Sequence, residues 1–256
     1  MSNPNLPVVP DESDRTTIVV GASRGFGHGV ATAFAGAGRP VIALARSERP
    51  LLELARQTPG VQVEVADAAD PTVPGPLYDR YLPTEVIIVA GASPLMRPLH
   101  HHTWETFSAG WNTDVRIAFH WLREALLTPL RPGSRVIVVS SGAAINGSPL
   151  SGGYAGAKAT QRFITGYAQQ EARLAGLDLT FTAVLPQITA STGLGLPAVR
   201  AYAHRAGRSF EEHLQRLGEP LTPDIVGAAL LELAHADSRS LAPAYRLTAA
   251  GVAALP

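Results

Sequence analysis

The sequence contains no cysteine, no excess charge of either sign and no long apolar run. Without cysteine, the chain has no disulfide, thiol nucleophile or cysteine metal site, which is typical of a reducing compartment. It has 21 basic and 21 acidic residues and no basic run, so neither nucleic acid nor an anionic membrane is expected as a partner. No apolar run approaches the ~20 residues that cross a bilayer. These absences predict a soluble, cytoplasmic protein.

Composition divides the chain into a short first segment and one long remainder. Residues 1–14 contain three prolines, three acidic residues and no hydrophobic block, which predicts a flexible tail rather than a signal peptide or an anchor. Residues 15–256 contain no internal repeat and no linker. Their number suits a single α/β domain.

Short β-branched runs alternate with longer amphipathic stretches along this domain. The runs predict six strands and a weaker seventh, at Thr16–Val20, Val41–Ala45, Val61–Val65, Val86–Val89, Arg135–Ser140, Leu179–Leu185 and Tyr245–Leu247. The longer stretches predict helices at Gly25–Gly38, Leu51–Gln57, Leu77–Leu82, Thr103–Leu127 and Tyr154–Ala175. Such alternation favours an α/β fold with a doubly wound parallel sheet and helices on both faces.

A glycine-rich turn follows the first predicted strand and opens the first predicted helix. Its residues are Gly21, Ala22, Ser23, Arg24, Gly25, Phe26 and Gly27. Glycines there let the chain bend sharply and let a pyrophosphate come close, while the first amides of the helix face the phosphates. In many other proteins a glycine-rich turn serves only to let the chain bend and binds no ligand. Its place between a strand and a helix favours nucleotide binding.

Arginines stand where an NAD-binding fold usually carries an acid. The second predicted strand ends at Ala45 and Arg46 with no carboxylate, and Arg24 lies in the glycine-rich turn. Two guanidinium groups at these places suit the 2′-phosphate of NADP. The alternative is that both arginines are ordinary surface charges. We therefore predict that NADP(H) is preferred over NAD(H).

The residues from Ser140 to Lys158 carry the strongest chemical signal. Tyr154 and Lys158 are four residues apart, so they share one face if Tyr154 opens a helix. An adjacent ammonium favours the phenolate, which makes the phenol a usable proton donor and acceptor. Ser141 follows a predicted strand and can hold a substrate oxygen. The same tyrosine and lysine spacing on many helices reflects only packing and a solvated charge.

Several other residues are candidates for a binding site. Asp67 follows the third strand, where its carboxylate either accepts from an adenine amino group or caps a turn. Ala90 and Gly91 leave room for a cofactor beside the fourth strand. Asn112 is an amide in an otherwise apolar helix and needs a partner. The triplet His100–His102 has no carboxylate or cysteine around it, so a solvated helix entrance is favoured over a metal site.

Together these motifs resemble the short-chain dehydrogenase/reductase family. The resemblance extends over roughly Thr16–Gly251 and rests on Gly21, Gly25, Gly27, Asp67, Ala90, Gly91, Asn112, Ser141, Tyr154 and Lys158. It implies a three-layer Rossmann-type fold with about seven strands, a nicotinamide cofactor, and interconversion of a small ketone or aldehyde with its alcohol. It also implies a homodimer or homotetramer formed through the two long helices, and a substrate lid around residues 187–218.

The resemblance further implies a role for each site residue. Tyr154 would be the acid/base, and Ser141 would orient the carbonyl oxygen. Lys158 would assist Tyr154 and bind the nicotinamide ribose, while Asn112 would hold a water beside Lys158. The expected cofactor contacts are Gly21, Ser23, Arg24, Gly25, Phe26, Gly27, Arg46, Asp67, Ala90, Gly91, Tyr154, Lys158 and Ile188. No metal is expected.

Some positions depart from the family pattern. Ile88 and Val89 replace two asparagines after the fourth strand, Gln187 replaces a glycine after the sixth, and the family's threonine has no unique match within Thr189–Thr192. One alternative is therefore a protein of the same fold that senses a nucleotide, or serves as a scaffold, without turnover. A different reaction on this fold, such as enoyl reduction, is disfavoured by the short spacing between tyrosine and lysine.

Overall fold

One eight-stranded sheet organises the chain and fixes the position of the helices. The computed structural model describes residues 12–256. The strands are β1 Thr17–Val20, β2 Val41–Ala45, β3 Val61–Val65, β4 Glu85–Ile88, β5 Ser134–Val139, β6 Leu179–Pro186, β7 Ala244–Thr248 and β8 Gly251–Leu255. Their spatial order is β3-β2-β1-β4-β5-β6-β7-β8, with β1 to β7 parallel and β8 antiparallel to β7. The predicted doubly wound parallel sheet is confirmed.

Helices cover both faces of the sheet. They are α1 Gly25–Gly36, α2 Glu48–Gln57, α3 Pro74–Tyr81, α4 Trp104–Gly110, α5 Arg116–Leu127, α6 Ala143–Asn146, α7 Gly152–Leu174, α8 Gly195–Arg205, α9 Phe210–Leu217 and α10 Pro223–His235. A π-helical segment, Trp111–Val115, joins α4 to α5. Short 3-10 turns occur at Glu12–Asp14, Leu99–His101 and Ser238–Ser240. The tail prediction for residues 1–14 falls largely on residues 1–11, which lie outside the described residues.

Two hydrophobic cores lie on opposite faces of the sheet. In β1, Ile18 and Val20 point into one core and Val19 into the other, as the alternation of side chains along a strand requires. The first core contains buried residues of α3, α5 and α7, including the fully buried Trp121. The second contains buried residues of α1, α2 and α10. The three layers expected from the sequence are therefore present.

The chain crosses the sheet between β3 and β4, and this crossing creates a cleft at the carboxyl ends of β1 and β4. After β1 the chain builds β2 and β3 on one side, and it then returns to place β4 on the other side of β1. The carboxyl ends of β1 and β4 are thus neighbours from which the chain leaves in opposite directions. In open α/β sheets, ligands bind at this point.

Several elements differ from the sequence prediction, and α6, α8 and α9 lie in stretches for which no helix was predicted. The strand β8 was not predicted; it pairs with β7 in a hairpin in which Thr248 faces Gly251. The single helix predicted for Thr103–Leu127 consists of α4, the π-helical segment and α5. This interruption changes which polar residue faces the cleft, as described below.

Candidate active site

A cavity of about 1430 Å³ lies at the carboxyl ends of the parallel strands. This volume exceeds the ~300–1,000 Å³ typical of a site for one small ligand. The cavity is lined by these predicted site residues: Gly21, Ser23, Arg24, Gly25, Phe26, Arg46, Asp67, Ala90, Gly91, Ser141, Tyr154, Lys158 and Ile188. Two predicted site residues, Gly27 and Asn112, do not line it.

The glycine-rich turn is close-packed on one side and open on the other. A Cβ atom at Gly21, where φ is +97°, would lie 2.6 Å from the amide nitrogen of Ala90, and a Cβ at Gly27 would lie 2.1 Å from the Gly21 oxygen. Gly27 therefore brings the helix against the turn rather than facing the cavity. At Gly25 the nearest side-chain atom, Cγ2 of Thr192, would be 3.7 Å from an added Cβ. A phosphate can approach the turn from this open side, at the beginning of α1.

Two exposed arginines stand beside this opening. Arg24 immediately precedes α1, and Arg46 follows β2. Among residues 12–256, neither has a carboxylate within ion-pair distance. Asp67 lies on the same side of the cavity and also stabilises its own turn, because Oδ1 accepts a hydrogen bond from the amide of Ala69 at 3.0 Å.

The end of β5 and the first turns of α7 position the candidate catalytic side chains. Tyr154 is the third residue of α7, and Lys158 follows one turn later on the same face. The Ser140 hydroxyl donates to the Lys158 main-chain oxygen at 2.7 Å, which ties β5 to the helix. Ser141 then enters the cavity, and its Oγ accepts from the amide of Ala143 at 3.2 Å.

The ammonium of Lys158 is buried among three acceptors. Its Nζ lies 3.0 Å from Oδ1 of Asp114, 2.9 Å from Oε1 of Gln161 and 3.4 Å from the oxygen of Val139. It also lies 5.5 Å from the centre of the Tyr154 ring. Burial lowers the pKa of Lys158, but the negative charge of Asp114 and the interaction with Tyr154 outweigh it, so the net pKa is raised. Lys158 therefore carries a positive charge in this site.

Asp114, not Asn112, is the polar residue that reaches Lys158. Asn112 is exposed on the π-helical segment, whereas the Asp114 side chain is fully buried. The carboxylate accepts from the amide of Ala92 at 2.8 Å and lies directly over Gly91, where an added Cβ would be 2.5 Å from Oδ1. The prediction that placed Asn112 beside Lys158 is corrected by this geometry.

Asp114 rather than Asn112 is buried because the two residues lie on different faces of the helix. Asp114 is three and four residues before the buried Ile117 and Ala118 of α5, so it belongs to the stripe that faces the core. Asn112 lies two residues earlier, on the solvent side of the π-helical segment. The spacing of Asp114 from the apolar stripe was a usable sequence signal that the prediction missed.

Gln161 was also missed. Its Nε2 donates to the Asp114 main-chain oxygen at 2.8 Å while its Oε1 accepts from Lys158. Gln161 is completely buried and follows Lys158 by three residues on α7, which is the spacing of neighbours on a helix face. It thus joins the π-helical segment to the lysine.

The remaining side of the cavity is formed by the predicted lid region. It contains α8 and α9, and Tyr202 of α8 hydrogen-bonds to Ser148 in the loop before α7. Gln187 also lines the cavity, and its side-chain amide donates to the oxygen of Glu219 at 3.1 Å. Thr189 is buried and Thr192 supports the start of α8 through the amide of Gly195, and both line the cavity.

The described part of the chain contains neither a cluster of metal ligands nor a helix suited to crossing a membrane. Among residues 12–256, no three histidine or acidic side chains are grouped as metal ligands would be, and His100–His102 lie at the 3-10 turn before α4. Within the same residues, no helix is both long and apolar enough for a bilayer.

Comparisons with known proteins find similarity in both sequence and fold. A family model described as short chain dehydrogenase matches residues 15–198. Relatives include L-xylulose reductase of Mus musculus, 28% identical over 102 residues, and D-erythrulose reductase of Gallus gallus, 29% identical over 106 residues. These matches cover 40% and 41% of this chain, and 42% and 43% of the relatives, so the chain spans about two fifths of the curated relatives it matches.

Similarity of the fold extends further than similarity of sequence. A crystal structure of a single-substitution variant of actinorhodin polyketide ketoreductase with NADPH aligns with a TM-score of 0.77 at 18% identity, covering 94% of this chain and 97% of that chain. At this identity the likeness concerns the fold. The family model covers most of the chain and includes the glycine-rich turn, Ser141, Tyr154 and Lys158. The chain therefore belongs to the short-chain dehydrogenase family.

Proposed function

We propose that the chain is an NADP(H)-dependent oxidoreductase that interconverts a ketone or aldehyde with its alcohol. The observation that carries the proposal is the cavity itself. The glycine-rich turn and two arginines lie along one part of it, and Ser141, Tyr154 and Lys158 lie along another. A family relative, carbonyl reductase [NADPH] 2 of Sus scrofa, 26% identical over 102 residues, supports the same class of reaction.

The residues fit a dinucleotide phosphate. Close packing at Gly21 and Gly27 leaves the turn open at Gly25, so a pyrophosphate meets backbone amides rather than side chains. Arg24 and Arg46 would hold the 2′-phosphate, since guanidinium groups bind phosphate oxygens in pairs. Hydride transfer to the carbonyl carbon is the chemistry that a bound nicotinamide supplies.

The chain's own residues would handle the oxygen and the proton. Ser141 donates a hydrogen bond to the carbonyl oxygen, and Tyr154 gives its phenolic proton to that oxygen as the alcohol forms. The positive charge of Lys158 stabilises the phenolate that remains. Three protein acceptors already surround Nζ of Lys158, so a ribose hydroxyl would replace the longest contact, to Val139.

We also expect the chain to associate with a second copy of itself. Several large apolar side chains on α4, the π-helical segment, α5 and α7 are exposed: Trp104, Trp111, Phe119, Phe163, Tyr167 and Leu174. Large exposed apolar side chains in one region indicate a protein interface. Their position supports the predicted homodimer or homotetramer formed through these helices.

The test compares the purified protein with two tyrosine variants. Tyr154→Phe removes the proposed proton donor, so we expect kcat for NADPH-dependent reduction across a panel of ketones and aldehydes to fall about 10²–10⁴-fold. The Kd for NADPH should rise by no more than about fivefold, because the phenol would contribute at most one hydrogen bond to the cofactor, worth about 1 kcal/mol. Tyr167→Phe is the matched control, because Tyr167 is exposed on the same helix outside the cavity.

Full activity of Tyr154→Phe would refute the catalytic assignment. NADPH binding without turnover of any carbonyl compound by the unaltered protein would instead support a nucleotide-sensing protein. Binding of neither NADPH nor NADH would reject the functional proposal as a whole.

A further inference from the structure

Asp114 is fixed in place by contacts that do not depend on a ligand. Its side chain is fully buried, Oδ2 accepts from the Ala92 amide, and its main-chain oxygen accepts from Gln161. Gly91 has no side chain that would occupy the position of the carboxylate. The negative charge is therefore held at one point between the loop after β4 and α7.

The carboxylate and the Gln161 amide are comparable partners of Lys158 that differ in charge. Asp114 Oδ1 lies 3.0 Å from Nζ and Gln161 Oε1 lies 2.9 Å from it. Oδ1 accepts no well-aligned hydrogen bond from residues 12–256, so the contact with Nζ is chiefly an ion pair. Substitutions at Asp114 and at Gln161 can therefore separate two roles of these contacts, which are positioning of the lysine and compensation of its charge.

Other titratable side chains line the two cavities beside Tyr154. Among the described residues, the Asp114 carboxylate forms the ion pair with Lys158, and β5 contributes the neutral Val139 carbonyl. On the other side of Tyr154, His102 lines a small cavity with it. From the lid side, Arg205, His213 and Arg216 line the main cavity, as does Arg246 of β7.

We propose that Asp114 is a positioning residue whose carboxylate holds Lys158 and offsets its positive charge at Tyr154. An isolated ammonium near a phenol favours the phenolate, whereas an ammonium paired with a carboxylate acts as a dipole whose field falls off faster. The pair thus makes loss of the Tyr154 proton less favourable than Lys158 alone would. With this carboxylate in place, reduction persists to higher pH than it would with a neutral side chain at position 114.

The inference rests on the proposed function only for its activity measurement. Asp114→Asn removes the charge while keeping the shape and an oxygen for the Ala92 amide. Gln161→Met is the matched control, since it removes a neutral contact to the same nitrogen. Gln161→Glu adds a second carboxylate and tests the opposite sign.

The first measurement is kcat for reduction at saturating NADPH from about pH 5 to 10. Reduction needs the protonated phenol, so its rate falls as pH rises through the ionisation of Tyr154. We expect the midpoint of this fall to move to lower pH in Asp114→Asn. Gln161→Met should leave the midpoint in place even where kcat is lower, and Gln161→Glu should move it upward.

The second measurement needs neither cofactor nor turnover. Tyrosine labelled with ¹³C at Cζ reports ionisation of each phenol by NMR, and Tyr154→Phe identifies the Tyr154 signal. The same order of midpoints is expected: Asp114→Asn lowest, Gln161→Met unchanged and Gln161→Glu highest.

Each outcome decides the proposal. Unchanged midpoints in both folded Asp114→Asn and folded Gln161→Glu would overturn it, and so would equal shifts in Asp114→Asn and Gln161→Met, because the effect would then be structural. If Asp114→Asn does not fold, an upward shift in Gln161→Glu supports charge compensation and no shift refutes it. The expected NMR shifts in a protein without carbonyl turnover would uphold the charge compensation and reject only the proposed function.

Discussion

Cofactor selectivity gives a quantitative test of the two arginines beside the glycine-rich turn. Arg24 and Arg46 are exposed, line the cavity and have no carboxylate partner within residues 12–256. Hydrogen bonds to charged groups contribute about 1.5–3 kcal/mol, and exposure to water places these two near the lower value. About 1.5 kcal/mol for each arginine corresponds to about tenfold in Kd.

Replacement of each arginine by glutamine should therefore weaken NADPH binding about tenfold, and the double variant should weaken it about 100-fold. The Kd for NADH should change less than about twofold, because NADH has no 2′-phosphate. Arg49→Gln is the matched control: Arg49 is exposed three residues beyond Arg46 but does not line the cavity. Kd is measured from nicotinamide fluorescence, which both reduced cofactors share.

Two results would contradict this reasoning. An unchanged Kd for NADPH in the double variant would show that the arginines are ordinary surface charges. Equal weakening of NADPH and NADH would show that they act on the pyrophosphate or on the shape of the site. In either case, the preference for NADP(H) would lose its physical basis.

Other parts of the molecule give further predictions. Gly91→Ala places a Cβ 2.5 Å from Oδ1 of Asp114, so it should lower the free energy of unfolding by about 1–3 kcal/mol in urea denaturation. Gly166→Ala, on α7 with no atom beyond its own stretch of helix within 4 Å of the new Cβ, should be neutral or stabilise by up to about 1 kcal/mol; equal losses would contradict the packing argument. Phe163→Glu should lower the mass in light scattering if α7 forms an interface, whereas Leu52→Glu, exposed on α2, should not; an unchanged mass for Phe163→Glu would reject that interface.

Much of the fold was predictable because each buried strand carries its own pattern. Ile18, Val19 and Val20 are all completely buried, and their neighbours in the sheet are equally apolar, as in parallel sheets covered on both faces. The strand β8 was harder to predict because it lies at the edge of the sheet. Of its five residues, Ala253 and Ala254 are exposed, so it lacks the apolar alternation that marks a buried strand.

Residues that face the cavity from one local motif were also predictable. Tyr154 and Lys158 share a helix face by spacing alone, and Gly21 and Gly25 line the cavity from a single turn. Gly27 belongs to the same motif, but it serves the close packing of α1 rather than the cavity. Local spacing thus located the motif, whereas the contact made by each member depended on packing.

The charge state of the site could not be predicted in this way, because it depends on a contact between distant segments. Asp114 and Lys158 are 44 positions apart, and they meet because the π-helical segment packs against α7. An amide in an otherwise apolar helix pointed to Asn112. The helix face on which a residue lies, and not its type, decides whether its side chain is buried beside Lys158. A buried carboxylate is costly unless a cation pairs with it, so Asp114 and Lys158 each stabilise the charged form of the other. The difference between an amide and a carboxylate at this contact is therefore a difference in the electrostatics of proton transfer, which the Asp114→Asn pH profile measures directly.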